Sequence, residues 1–415
     1  MPVSLAPLHI ALVSTSLGRV EDTQSLHVVE LARELGRQGH RVSLYTRRHD
    51  DAARDRTRLG QGATIHYLTA GPARPLRDDE VLPYLREFGT ELARRLAGTR
   101  PDLVHAHGWT GGLAAHAAVE GTGLPLVQSF HGLGIAARRD GLAPHPARER
   151  LERVLGRTAD TIHACSADEA DDLVRMGVPR RAIRTVPYAV DGERFRETGP
   201  TMPRGDRARL VAVCSDLACG GLDTAIRALV HVPDAELVIA GGPSRDDLEN
   251  DPVVHRLRLL AKEVHVDDRV IFLGRLPRKD VPKLLRSARL ALSLAPHRPS
   301  ALAALEAMAC GVPVVATPVG GNADTVLDGV TGLHVPARRP AQIGRAIRRL
   351  LAEPTTVAGF AIAAADRAHS RYSVERIAAE TARAYARLLP DPEPEVEVDG
   401  ETDVDAPREP VGATA

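Results

Sequence analysis

From residue 8 to about residue 352, short apolar runs alternate with longer stretches in which apolar positions recur every three or four residues. Continuous short runs suit buried strands and the longer spacing suits amphipathic helices, so the rhythm predicts βαβ units and parallel sheets. In the first half, strands are predicted at 8–13, 41–46, 103–106, 124–129, 161–165 and 183–186. A helix is predicted at 25–37, with Ser25 as its N-cap and Gly39 just past its end. The pattern then restarts, with strands at 210–213, 236–240, 270–273, 290–294 and 312–316. Helices fill the intervals, at 222–230, 246–264, 281–287 and 301–309.

The polar segment 197–207, with Gly199, Pro200, Pro203 and Gly205, reads as a linker between the halves. The expected architecture is α/β, with two Rossmann-like domains facing across a cleft. Residues 1–198 form the first domain and 199–370 the second, a helix follows within 371–390, and 391–415 is a tail. That last helix is predicted over 374–389. The tail carries nine acidic residues, a single arginine (Arg408) and several prolines, and is expected to be a disordered, solvated appendage. Ligands of open parallel sheets sit beyond the carboxyl ends of the strands, so the cleft is where a ligand is expected.

Length and composition narrow the classes. A chain of 415 residues exceeds one ordinary core, and 43% hydrophobic with 26% charged residues is ordinary for a soluble globular protein. Fifty-four basic side chains balance 54 acidic ones, which argues against a general nucleic-acid binder. No apolar run is long enough to cross a bilayer, and nothing indicates membrane association. The first residues lack the basic region of a signal peptide. Cys165, Cys214, Cys219 and Cys310 show no ligand spacing, so a reducing cytoplasm is the expected location. His105 and His107 share a face only in an extended strand, and with no third ligand near them no metal is expected. Arginine carries nearly all the positive charge; the lysines are Lys262, Lys279 and Lys283.

Residues 304–316 read ALEAMACGVPVVA, and 320–336 continue GGNADTVLDGVTGLHVP. Supporting segments are HVVELARELGRQGHRVSLYTR at 27–47, DLVHAHGW at 102–109, SFHGLG at 129–134, LVIAGGP at 237–243 and DRVIFLGRLP at 268–277. In this order and spacing the chain resembles the retaining GT-B glycosyltransferases of family four, over residues 8 to about 389. The resemblance implies a glycosyltransferase of carbohydrate metabolism. A nucleotide-sugar donor would bind the second domain and a small-molecule or glycan acceptor the first. Transfer would retain anomeric configuration, with no cofactor beyond the co-substrate. It also implies that the last helix crosses back onto the first domain.

Carried over residue by residue, the resemblance gives Glu306 the ribose hydroxyls, which a carboxylate accepts well. His131 faces the donor sugar, Gly320 and Gly321 form the glycine turn beside the donor, and Arg275 lies by the nucleotide base. Ala301 and Leu302 open a helix whose N–H groups and positive end point at phosphate. Several positions depart from the pattern. Arg298 stands where the family has the first glutamate of its pair, and Ser300–Ala301 replace Phe-Gly. Ser215 and Gly220 replace an arginine and a lysine, and Asp22–Thr23 replace a Gly-Gly loop on the acceptor side, where His107 also belongs. Each lost charge-assisted bond to phosphate removes about 1.5–3 kcal/mol. Two functions follow from these departures. One is an active transferase in which Arg298, with His297, partly restores the charge. The other is a catalytically compromised GT-B protein that binds a sugar, a nucleotide or a partner. Trp109, the single tryptophan, either packs in the core or stacks on an acceptor.

Overall fold

The computed structural model describes residues 6–17, 23–52, 54–297 and 300–390. Two sheets carry the fold. The first contains β1 (His9–Val13), β2 (Arg41–Arg47), β3 (Arg56–Arg58), β4 (Ala63–Leu68), β5 (Leu103–His107), β6 (Leu126–Ser129), β7 (Thr161–Ala164) and β8 (Ile183–Thr185). Their spatial order is β3-β4-β2-β1-β5-β6-β7-β8, parallel except at the β3–β4 edge. The second sheet contains β9 (Ala208–Val213), β10 (Ala235–Ala240), β11 (Val270–Gly274), β12 (Leu290–Ser293), β13 (Val314–Ala316) and β14 (Gly332–His334). It runs β11-β10-β9-β12-β13-β14 with parallel pairing throughout.

The central strands were legible because both of their faces are covered and their sequences are continuously apolar. Leu210 and Leu237, for instance, belong to the core on one face of the second sheet, and Val211 and Val238 to the core on the other. The strands that the apolar pattern missed are β3, β4 and β14, which are short or carry polar residues between apolar ones. Three helix starts also differ from expectation. The first helix starts at Thr23, so Ser25 lies inside it rather than capping it. The helix expected at 246–264 is Pro252–Glu263. Asp251 caps it by accepting the N–H groups of Val253 and Val254, and Pro252 occupies a first-turn position that needs no N–H. Ala301 is the N-cap of Leu302–Ala309, in left-handed conformation at φ 64°, not its first helical residue.

The carboxyl end of the chain ties the molecule together. Helix Pro354–Tyr372 packs on Leu302–Ala309 in the second half. The chain turns at Ser373, and helix Val374–Ala386 then packs against Thr23–Arg37 in the first half. Ala378, Ala382 and Tyr385 join the core formed by Ile10, Leu12, Val28 and Leu44. The helix ends at Ala386 rather than 389 because the backbone past it tightens into turns.

Tyr385 is fully buried and its hydroxyl lies 2.6 Å from Nδ1 of His105. Tyr385→Ala is expected to lower unfolding free energy by about 3–5 kcal/mol, and Tyr385→Phe by about 1–3 kcal/mol through the stranded imidazole nitrogen. Denaturant titration of both variants checks this order.

Candidate active site

A cavity of about 600 Å³ lies between the carboxyl ends of the two sheets. It gathers most of the site residues expected from sequence: Thr23 and His131 on one wall, and Ser215, Gly220, Arg275, Ala301, Leu302, Glu306, Gly320 and Gly321 on the other. Asp22 and Arg298 lie outside the described residues. His107 is corrected: it is fully buried behind His131 and is not part of the cavity wall. Trp109 packs, 2% exposed, with its indole N–H donating to Asp78 and the Arg148 guanidinium over its ring.

His131 follows β6 in a left-handed conformation, φ 58°. Its Nε2 lies 2.9 Å from Nδ1 of His107, and its Nδ1 lies 2.9 Å from the Tyr188 hydroxyl. Both Tyr188 and His131 reach the cavity. Behind them the alternation of β5 stacks His105 on His107, with ring centroids 4.1 Å apart. His27 sits edge-on to His131 and Tyr188, and His163 lies parallel to the Tyr385 ring. Removal from water disfavours the cations of all five imidazoles. Burial lowers His27 to about 4 and His163 to about 3, the latter helped by Arg184 and His27. Burial also holds His105, His107 and His131 well below the usual imidazole value, with neighbouring imidazoles adding repulsion. His131 therefore meets the cavity without charge, one ring nitrogen engaged by His107 and the other by the Tyr188 hydroxyl.

On the opposite wall Glu306 is 2% exposed and paired with Arg278, whose guanidinium also lies 4.6 Å from the centre of the Phe195 ring. Arg278 lines the cavity and is a residue that spacing in the sequence did not reveal. Arg275 lines the cavity too, its side chain donating to the Gly242 carbonyl at 3.2 Å. Gly220 has a spatial explanation. A Cβ there would stand 2.8 Å from Sγ of Cys214 and 3.5 Å from the Asp216 carbonyl oxygen. The thiol fills the room that a side chain at 220 would need, so any larger residue there requires Cys214 to move. Burial pushes the Cys214 thiol up to about 12, with Asp216 and Cys219 adding to the shift, so it is held as the neutral thiol.

Two carboxylates cross between the halves. Asp168, in the first turn of helix Ala167–Arg175, accepts the Gly320 N–H at 2.7 Å. Asp324 returns the contact by accepting the Ala167 N–H at 2.8 Å. His297 lies 3.4 Å from Asp140 and 3.0 Å from Arg338, bridging the same gap. No sequence signal marks these contacts, because each joins residues more than 40 positions apart. Among the described residues no group of three or more His, Cys, Asp or Glu is placed to hold a metal ion. No helix among them is long and apolar enough to cross a membrane.

Comparisons with known proteins agree with this geometry. Residues 24–194 match the profile of Glycosyltransferase Family 4, and 210–367 that of Glycosyl transferases group 1. The chain is 33% identical to a D-inositol 3-phosphate glycosyltransferase of Acidothermus cellulolyticus, over 79% of this chain and 77% of that one. It is 31% identical to D-inositol 3-phosphate glycosyltransferase 2 of Catenulispora acidiphila, over 88% and 90%. Among solved structures, the sucrose-phosphate synthase of Thermosynechococcus elongatus shares the fold with a TM-score of 0.81 at 24% identity, over 91% of this chain and 98% of that one. Anabaena HepE in complex with UDP-glucose has a TM-score of 0.73 at 17% identity, over 92% and 100%. The chain belongs to glycosyltransferase family 4 and is a glycosyltransferase of the GT-B fold.

Two outcomes test this site. Unfolded imidazoles take up protons near pH 6.5, whereas the five buried ones resist until far lower pH. Their contribution to stability is complete above pH 6.5 and is lost as pH falls toward 4 for His27 and toward 3 for His163. Each adds a slope of about 1.4 kcal/mol per pH unit. Glu152 and Glu169, whose carboxyls burial raises, act in the opposite sense but are outnumbered. Urea midpoints should therefore drop steeply between pH 7 and 5. For the coupled pair, Gly220→Lys alone should destabilise the fold, and Cys214→Gly with Gly220→Lys should restore the thermal midpoint.

Proposed function

We propose that the cavity binds a uridine-diphosphate sugar against the second domain and transfers the sugar, with retention, to a small phosphorylated polyol held by the first. The observation that carries this reading is the cavity itself. It joins a carboxylate, Glu306, and the amino end of helix Leu302–Ala309 to a neutral imidazole, His131, on the facing wall. Glu306 would accept the ribose hydroxyls; a carboxylate offers about four acceptor positions, so this is compatible with the Arg278 pair. The first-turn N–H groups at Leu302 and Ala303, with the positive end of that helix, would receive the diphosphate. Arg275 would lie by the base. His131, neutral and held from behind by His107, would exchange its Tyr188 contact at Nδ1 for a sugar hydroxyl. The leaving diphosphate would be stabilised by these fixed dipoles and the cavity arginines rather than by a metal.

Relatives named as acting on D-inositol 3-phosphate support a phosphorylated polyol acceptor. So does the placement of Arg148 on the first domain's wall beside His131. UDP-glucose in Anabaena HepE supports the donor class.

The test incubates the full chain with UDP-glucose or UDP-N-acetylglucosamine and inositol phosphate, and reads the product's anomeric configuration by proton NMR. Transfer to an α-linked product supports the reading, and a β-linked product removes retention. UDP-sugar binding with neither transfer nor hydrolysis supports instead the compromised, ligand-binding protein. Arg298 stands where the family has a glutamate, and its positive charge is proposed to make up in part for the cations expected at 215 and 220. Arg298→Ala is expected to cut turnover about ten- to a hundredfold, the value of one charge-assisted bond. Unchanged turnover would remove Arg298 from the site.

A further inference from the structure

The segment carrying His131 is held at φ 58°, a left-handed conformation uncommon for any residue but glycine. Two buried carboxylates bind the backbone around it. Glu169 is 6% exposed; one of its oxygens accepts the Gly132 N–H at 2.9 Å and the other the Cys165 N–H at 2.6 Å. Glu152, fully buried on helix Arg148–Thr158, accepts the Gly134 N–H at 2.7 Å and Nε of Arg148 at 2.6 Å. Arg148 in turn donates to the Gly132 carbonyl at 2.7 Å. Both polar groups of Gly132 and the amide of Gly134 are thus bound by side chains from two different helices.

Position explains why these are not ordinary helix caps. Glu169 is the third helical residue after Ser166, which caps its N–H. A glutamate there would usually reach back to the N-cap amide. Instead it spans to Gly132 on the loop after β6. A buried carboxylate is costly unless hydrogen-bonded, and two placed around one short loop fix that loop strongly.

We propose that Glu169 and Glu152 are positioning residues for sugar transfer: by binding the Gly132 and Gly134 amides they keep His131 left-handed, with its ring presented to the cavity. They thereby govern how tightly the donor's sugar, as distinct from its nucleotide, is held. This rests on the reading of His131 as the sugar-facing residue.

Glu169→Gln is the informative variant, because its NH₂ group would face one of the two amides now bound and replace an attraction with a donor–donor clash. UDP and UDP-glucose are titrated calorimetrically into the full chain and the variant, and amide hydrogen exchange is followed over residues 130–135. The Kd for UDP-glucose should rise about tenfold while that for UDP stays within about twofold, the weight of one contact to the sugar. Exchange over 130–135 should accelerate while β5 keeps its protection. Glu152→Gln should give the same split, and serves if Glu169→Gln does not fold. Equal weakening of UDP and UDP-glucose, or unchanged exchange over 130–135, overturns the proposal. If the unaltered chain binds neither ligand, the donor reading fails on its own, and exchange over 130–135 in the two variants then decides the clamp.

Discussion

The site depends on two hydrogen bonds that cross the cleft in opposite directions, Asp168 to the Gly320 amide and Asp324 to the Ala167 amide. Each carboxylate meets the amino end of a helix or turn in the other half, where unsatisfied N–H groups and a positive dipole end favour it. The reciprocal arrangement fixes the first half's helix Ala167–Arg175 against the second half's glycine turn. With helix Val374–Ala386 packed back on Thr23–Arg37, the two sheets face each other across one enclosed space. Without that registration neither wall is a site, because each supplies only half of the polar groups.

The two walls solve the problem of buried polarity differently. The first-domain wall is dense in polar groups, and its charged members at the cavity, Asp140, Arg148 and Glu169, are each held by protein partners. Five neutral imidazoles and Tyr188 exchange hydrogen bonds and ring contacts, and the nearby carboxylates are spent on backbone amides. The second-domain wall keeps one ion pair, Glu306 with Arg278, seated on Phe195. Breaking such a pair by removing one partner costs far more than the pair contributes, so Arg278 and Glu306 act as one unit. Around Gly220 the wall is closely packed, with Sγ of Cys214 2.8 Å from where a Cβ would stand. The arginines that line this wall, Arg275 and Arg278, come from the loop after β11.

Much of the scaffold could be read from the chain because parallel strands buried on both faces leave continuous apolar runs, as in β1, β9 and β10. Edge strands such as β3, with its exposed Arg56, Thr57 and Arg58, leave no such trace. Cavity-lining residues were legible where a local motif fixed them, as for Glu306, Gly320 and His131. Partners contributed from remote sequence were not. Arg278 reaches Glu306 across 28 residues, and Glu169 reaches Gly132 across 37. His107 was assigned to the wall because its neighbours in DLVHAHGW resemble a site segment. Strand alternation instead placed it one layer deeper, where it serves His131.

The most direct measurement is a crystal structure of the full chain grown with saturating UDP. The account predicts the nucleotide inside the interdomain cavity, its ribose hydroxyls within hydrogen-bonding reach of Glu306 and its diphosphate at the amino end of helix Leu302–Ala309. An empty cavity, or UDP bound on another surface while Glu306 remains shielded by Arg278, would contradict it.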